Sequence, residues 1–303
     1  MSTSSVGGAK LGLILALLFV SLLGAEKIRV ASYNFENYLV MDRMVRGKWT
    51  PNYPKPSKEK RALRTLVNLV RPDILVIQEI GDRTFLNEFW QDLNVTGGAP
   101  FYHSAWMPGA NEEEERHLAI LSRIPFLDIR FHREFSFKYF DGTERPSRGV
   151  LEAEFEVNGV RWNLFNLHLK SKWTERKDDP NANLRREKEA RTIRDYLRKR
   201  FLPADGHPYL IAGDFNDHKN SAPLRRFLQV NDLALTEMVQ CVDSNGHFWT
   251  HYYAKQDSYS RLDYLLASPS FFKRLVPESA FIADRHFSLW ASDHRMIYAD
   301  FEF

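Results

Sequence analysis

Two runs in this chain, ILVIQEI at 74–80 and YLIAGDFN at 209–216, are apolar on consecutive positions and then end in acids and amides. A strand that shows no alternation has no wet face, so each is predicted to lie covered on both sides. That requirement excludes a simple open sheet and calls for stacked layers. Further strand-like runs begin at Ile28 (IRVASYNF), His117 (HLAILSR), Val150 (VLEAEFEV), Val160 (VRWNLFNLHL), Leu262 (LDYLLAS) and Met296 (MIYADFEF). Of these, VLEAEFEV alternates cleanly, which predicts one wet face. Asn158-Gly159 after it is a hairpin signal, because a type I′ turn needs positive φ at both central residues.

Two amphipathic segments can supply cover. In the helix predicted from Ser57, with Ser57 as its cap, Leu63, Leu66, Val67 and Val70 form one stripe; in RREKEARTIRDYLRKR the stripe is Ala190, Ile193, Tyr196 and Leu197. The expected class is α/β (α+β type): a four-layer α/β/β/α sandwich of two mostly antiparallel sheets flanked by helices. From Ile28 onward there is no Gly/Ser-rich linker, repeat or low-complexity block, so 26–303 reads as a single domain. The 44% hydrophobic content can fill such a core and excludes a disordered chain. A net charge of +3 suits a polyanionic substrate without arguing for one.

The N-terminus reads as a targeting segment. MSTSSVGGAK carries one lysine, the run Leu11–Leu23 is apolar, and Ala25 is a small residue suited to cleavage. The run falls short of the roughly 20 residues of a membrane span and has the layout of a secretory signal. Residues 1–25 are therefore expected to be a signal peptide, an uncleaved anchor being the alternative. The single cysteine, Cys241, cannot form an internal disulfide, so an exported domain must rely on its core. A periplasmic or secreted protein fits, with no stable membrane span after cleavage.

Polar residues collect where strands end. Asn34 and Glu36 close the first run, Glu79 the second, and His168 with Lys170 the return of the hairpin; Asp214 and Asn216 close YLIAGDFN, Asp263 opens LDYLLAS, and Asp293-His294 precede the run from Met296. Singly each has an ordinary explanation, such as a turn or a satisfied strand terminus. Gathered on one rim they would repel one another unless a cation compensated them. Hard oxygen donors suit Mg²⁺, Mn²⁺ or Ca²⁺, and the shortage of Cys and of close His pairs argues against structural zinc.

VASYNFEN, PDILVIQE, LHLKS, IAGDFND, RLDYLLAS and SDHRMI, in that order, resemble the endonuclease/exonuclease/phosphatase superfamily of deoxyribonuclease I-like and exonuclease III-like phosphohydrolases, from about Ile28 onward. The resemblance implies metal contacts from Asn34, Glu79 and Asp293, with Glu36 behind them. It implies His168 and His294 on the scissile phosphate, Asp214 and Asn216 on the attacking water, and Asp263 behind His294. It points, from ERHLAILSR, to Glu115 as support for His168 and, from RPSRGVLEAEF, to Arg148 as a phosphate contact; Lys170 is a further phosphate candidate. Phosphodiester hydrolysis builds negative charge on phosphate oxygens, so both histidines are expected to have raised pKa values with a carboxylate behind each. Either Asp214 or His294 can be the base, and Asp214 is favoured.

The substrate is less constrained. The basic helix Arg185–Arg200 and HLKSKWTERK, with Trp173 among its lysines, favour nucleic acid and hence an exported endonuclease. A sphingomyelinase-like or inositol-phosphate enzyme is the alternative, and a non-catalytic or toxin-like module a third. No obligate protein partner is implied.

Overall fold

A computed structural model describes residues 25–97, 100–201, 206–231 and 233–303. The expected signal segment, up to residue 24, lies outside the described residues. Two six-stranded sheets pack face to face. The first runs, edge to edge, Phe281–Ile282, Ile297–Glu302, Lys27–Tyr38, Ile74–Ile80, His117–Ser122 and His103–Met107. The second runs Glu237–Met238, Asp263–Ala267, Tyr209–Asp214, Val160–His168, Val150–Val157 and Asp128–His132. Each is antiparallel except for one central parallel pair: Lys27–Tyr38 beside Ile74–Ile80, and Val160–His168 beside Tyr209–Asp214. Parallel neighbours need a crossover, and the helices α1 (Ser57–Val70) and α3 (Asn183–Phe201) lie within these two connections.

The layers follow from which side chains are apolar. Between the sheets, Val30, Val76 and Ile120 meet Phe155, Trp162, Leu164 and Leu210. The outer face of the first sheet is covered by α1 and α2 (Arg83–Thr96) through Leu63, Leu66, Val67 and Phe89. Over the second, α3 and α4 (Ala222–Leu228) bring Ala190, Ile193, Leu197 and Phe227. Each such large side chain, fully buried, contributes roughly 1.5–3 kcal/mol. One polar bridge crosses this apolar interface: the Asn166 amide donates to the carbonyls of Ile77 (2.9 Å) and Ala119 (3.0 Å) and accepts from Gln78 Nε2 (2.9 Å).

The structure differs from the expectations in three places. Ser57 is the first helical residue rather than the cap, Pro56 taking that position without a side-chain bond. The alternating strand Val150–Val157 has no freely wet face near α3: Glu152 is fully buried and is held by Arg130, His132, Tyr196 and Arg200. The basic helix is paired in part within the fold, with Arg185 on Glu144, Arg186 on Asp217, Arg194 on Asp195 and Arg200 on Glu152. It therefore does not offer its whole charge to a polyanion. The segment after the first strand folds as a hairpin, Met41–Val45 against Lys48–Tyr53, whose cross-strand pair Met44 and Trp49 is 60% and 65% exposed, unusual for such residues. Among the described residues no helix is long and apolar enough to cross a membrane.

Gly213 sets how closely the second parallel pair can approach. Its φ is +150°, and a Cβ there would stand 1.9 Å from the Leu167 carbonyl oxygen of the neighbouring strand. Gly213→Ala should therefore destabilise by more than about 3 kcal/mol, because backbone rather than a mobile side chain must yield. The midpoint of urea unfolding measures this, and a change within about 0.5 kcal/mol would show that the strands can part.

Candidate active site

The two parallel pairs point their carboxyl ends at one rim, the position where open α/β sheets present ligand-binding groups. Asn34 and Glu79 come from the first pair, His168 and Asp214 from the second. Asp263 opens a strand antiparallel to Tyr209–Asp214 and pairs with Asp214 directly, so His168, Asp214 and Asp263 stand abreast. By the same logic Asp293 and His294 precede a strand antiparallel to Lys27–Tyr38, and its entrance meets that strand's exit. Ser292 fastens the junction: its hydroxyl donates to the Asn34 carbonyl (2.8 Å) and accepts from the His294 amide (3.0 Å).

Asp214 is the hub. It is 1% exposed, and its Oδ2 lies 3.1 Å from Asn34 Nδ2, 3.4 Å from His168 Nε2 and 3.8 Å from His294 Nε2. Asn216 donates its backbone N–H to Oδ1 (2.8 Å) and its amide to Oδ2 (3.1 Å). Glu79 Oε1 is 3.3 Å from Asn34 Nδ2 and 3.8 Å from His168 Nε2. Behind His294, Asp263 Oδ2 sits 2.8 Å from Nδ1. Glu36 joins Asp293 to this group, since its N–H donates to Asn34 Oδ1 (2.9 Å) and its Oε2 accepts from the Asp293 N–H (3.0 Å).

Strained backbone contributes to this rim. Glu36, Asn37, Glu79 and Asn216 all have positive φ, between 47° and 60°. The register with both neighbours of Ile74–Ile80 shifts at the same place, a bulge that turns Glu79 toward the rim. Such conformations cost of order 1–3 kcal/mol each and persist only where the surroundings impose them.

The electrostatics split the histidines. Burial opposes charge on His294, but Asp263 and Asp214 outweigh it and raise its pKa well above the ordinary value. His168 goes the other way: burial, with Arg148, His294 and Arg116 nearby, drives it well down, and its Nδ1 has no partner among the described residues. The expectation of two raised histidines, each backed by a carboxylate, holds for His294 alone. Burial pushes Asp214 up to about 7 and, with Asp293 beside it, Glu36 up to about 7. Asp293 is lowered, because His251 and His294 overcome its desolvation.

The remaining expected site residues separate. Glu115 is exposed and makes no bond to His168 among the described residues; its neighbour Glu114 turns inward instead, 2.9 Å from the nearly buried Arg148. Arg148 is thus an ion-paired side chain close enough to depress His168. Lys170 bends back onto its own loop, toward the carbonyls of Ser171 and Trp173, and burial lowers it to about 8. Three residues were missed. Arg116 bonds Asn37 (2.7 Å) and lies 4.0 Å from Glu79; buried Lys55 donates to the Glu36 carbonyl (3.0 Å); His251 Nε2 is 3.6 Å from Asp293 Oδ2. Nothing local in YPKPSKEK or WTHYY marks them.

The donor set fits a hard cation. The Asn34 amide nitrogen stands between Glu79 and Asp214, and Asp263 Oδ1 is buried without a partner, so the negative charge is under-compensated. Turning the Asn34 amide would present its oxygen beside Glu79. Because the Asp214 value is raised in the fold, its stabilising contribution is present below the ordinary carboxylate range and is lost as pH rises through about 7. A cation at Glu79 would offset that loss. Mg²⁺ or Mn²⁺ should therefore raise Tm more near pH ~8 than near pH ~5, and Glu79→Ala should remove most of the difference. Equal shifts at both pH values would argue against this seat.

Comparison with known proteins places this geometry. The model of the Endonuclease/Exonuclease/phosphatase family matches residues 31–294. An endonuclease/exonuclease/phosphatase protein from Bacteroides vulgatus superposes with a TM-score of 0.61 at 16% identity, covering 91% of this chain and 98% of that one. Truncated TDP2 from Caenorhabditis elegans gives 0.58 at 18% identity, covering 91% and 97%, and sphingomyelinase C from Streptomyces griseocarneus 0.59 at 16%, covering 91% and 99%. No curated protein sequence matches the chain. With the family match spanning most of its length, the chain belongs to the endonuclease/exonuclease/phosphatase family.

Proposed function

We propose that the protein is a divalent-metal-dependent phosphodiesterase, an exported endonuclease that cuts nucleic acid by in-line attack of water. The observation that carries the reading is the convergence of His168 and His294 on one oxygen of Asp214, at 3.4 and 3.8 Å. A phosphate seated between the two Nε2 atoms meets a charged imidazole, His294, and a neutral one, His168. Asp214, near 7 rather than near 4, is basic enough to take a proton from water at neutral pH, and Asn216 holds it in place. Glu79, with Asn34 and Asp293, would hold the metal, which when bound would supply charge neutralisation at the phosphate oxygens. Asp263 keeps His294 charged and oriented.

Nucleic acid is favoured by a cleft of about 570 Å³ beside Asn216 and Asp293, lined by Lys172, Trp173 and Tyr253. Trp173 is 72% exposed there, free to stack on a base next to a cationic neighbour. The exposed Met44–Trp49 pair favours a second reading, a phospholipid-headgroup phosphodiesterase whose hairpin meets the bilayer interface.

Asp214→Asn and His294→Ala should each lower kcat about 10²-fold or more, with folding intact by circular dichroism; near-normal turnover by either would refute the assignment. Asp263→Asn removes the charge that raises His294, so the alkaline limb of the pH–rate profile should move to lower pH. Plasmid DNA, RNA and sphingomyelin vesicles, each with Mg²⁺ and with chelator, decide the substrate: cleavage of sphingomyelin alone would replace the nuclease reading with the lipid one.

A further inference from the structure

Among the described residues, two groups of ligating side chains bring their donor atoms within 4.8 Å of one another. One is Asp214, Asp263 and His294, the buried centre described above. The other is His251, Asp293 and His294, and its chemistry is different. We propose that this second group is a binding site for a late first-row transition ion, zinc above all, and that an ion bound there inhibits the enzyme.

Donor type sets the preference. Two imidazoles and one carboxylate form the nitrogen-rich set of open zinc sites, whereas Mg²⁺ favours oxygen ligands of the kind Glu79 and Asn34 offer. His251 Nε2 lies 3.6 Å from Asp293 Oδ2, close to the spacing of about 3.3–3.5 Å between donors on a tetrahedral ion. The His251 and His294 rings are 4.7 Å apart at 54°, and small rotations of the half-exposed Asp293 and the His251 side chain complete the approach.

The backbone holds the three in place. His251 and His294 form an antiparallel bridge, and the Tyr252 N–H donates to the Asp293 carbonyl at 2.9 Å. Asp263 occupies Nδ1 of His294 at 2.8 Å and so presents Nε2 outward, the carboxylate-backed arrangement typical of metal-bound imidazoles. Access comes through the cleft of about 570 Å³, whose wall includes both His251 and Asp293. The single cysteine, Cys241, is buried and offers the ion no competing thiolate.

Inhibition follows from the shared atom. An ion on His294 Nε2 removes the N–H that faces Asp214 and the phosphate. This part rests on the phosphodiesterase reading; binding itself does not.

The test uses the full chain stripped of metal. Co²⁺ titration should give a visible d–d absorption that saturates at one ion and is bleached by Zn²⁺. His251→Gln, with His251→Asn as a second variant, should weaken Zn²⁺ binding by at least about tenfold in calorimetry, since a ligand costs no less than its supporting groups. In saturating Mg²⁺, the Zn²⁺ concentration that halves turnover should rise by a similar factor relative to each variant's own zinc-free rate. Absence of the cobalt band, or unchanged zinc affinity and inhibition in folded variants of His251, overturns the proposal. A His251-dependent cobalt band in a protein that cleaves no phosphodiester would sink the functional reading and leave the site standing.

Discussion

Burying the carboxylate of Asp214 is the constraint that organises the molecule. A charge withdrawn from water costs several kcal/mol unless dipoles and counter-charges replace the solvent. No single element here could supply them. The first sheet provides the Asn34 amide, the second provides His168 and the turn at Asn216, and the entrance to the Ile297–Glu302 strand provides His294. Such a shell works only if the two sheets keep one relative register. Apolar layers alone would tolerate a slip; the Asn166 bridge to Ile77, Ala119 and Gln78 would not, because a slip leaves buried amide and carbonyl groups unpaired.

How far this was legible in the amino-acid pattern depended on burial. Ile74–Ile80 and Val150–Val157 have the bounds their hydrophobicity implies, since central strands must be apolar wherever they are covered. The edge strands His103–Met107 and Asp128–His132 were invisible: HSAWM and DIRFH are too mixed to register as strands. Helix α2 carries a sign legible in the sequence, Asp82 capping the Thr84 N–H. At the site, residues on strand ends converged as read, because a strand fixes its neighbours. Glu115 failed because it lies on a loop, where no periodicity tells which of four consecutive glutamates points inward. The charge state of His168 could not be read either, since Arg148 and Arg116 reach it only through the tertiary fold.

The scaffold leaves specificity to its rim. A sphingomyelinase and TDP2 share it at 16% and 18% identity, so the layers themselves do not select a substrate. The loop through Trp173 and the His251–Tyr253 strand line one cleft, the Met41–Tyr53 hairpin joins the rim through Arg43 on the Asn37 carbonyl, and each can change without disturbing the stacked core.

The Ser292 hydroxyl on the Asn34 carbonyl joins residues 258 positions apart. Contacts of that span form late, after nearly the whole polypeptide has been ordered. A chain in which that contact has not closed therefore does not yet hold the two imidazoles together. For the nuclease proposed above, which would face the nucleic acid of the cell that makes it, that delay amounts to a built-in safeguard: the centre is armed by the same closure that completes the sandwich.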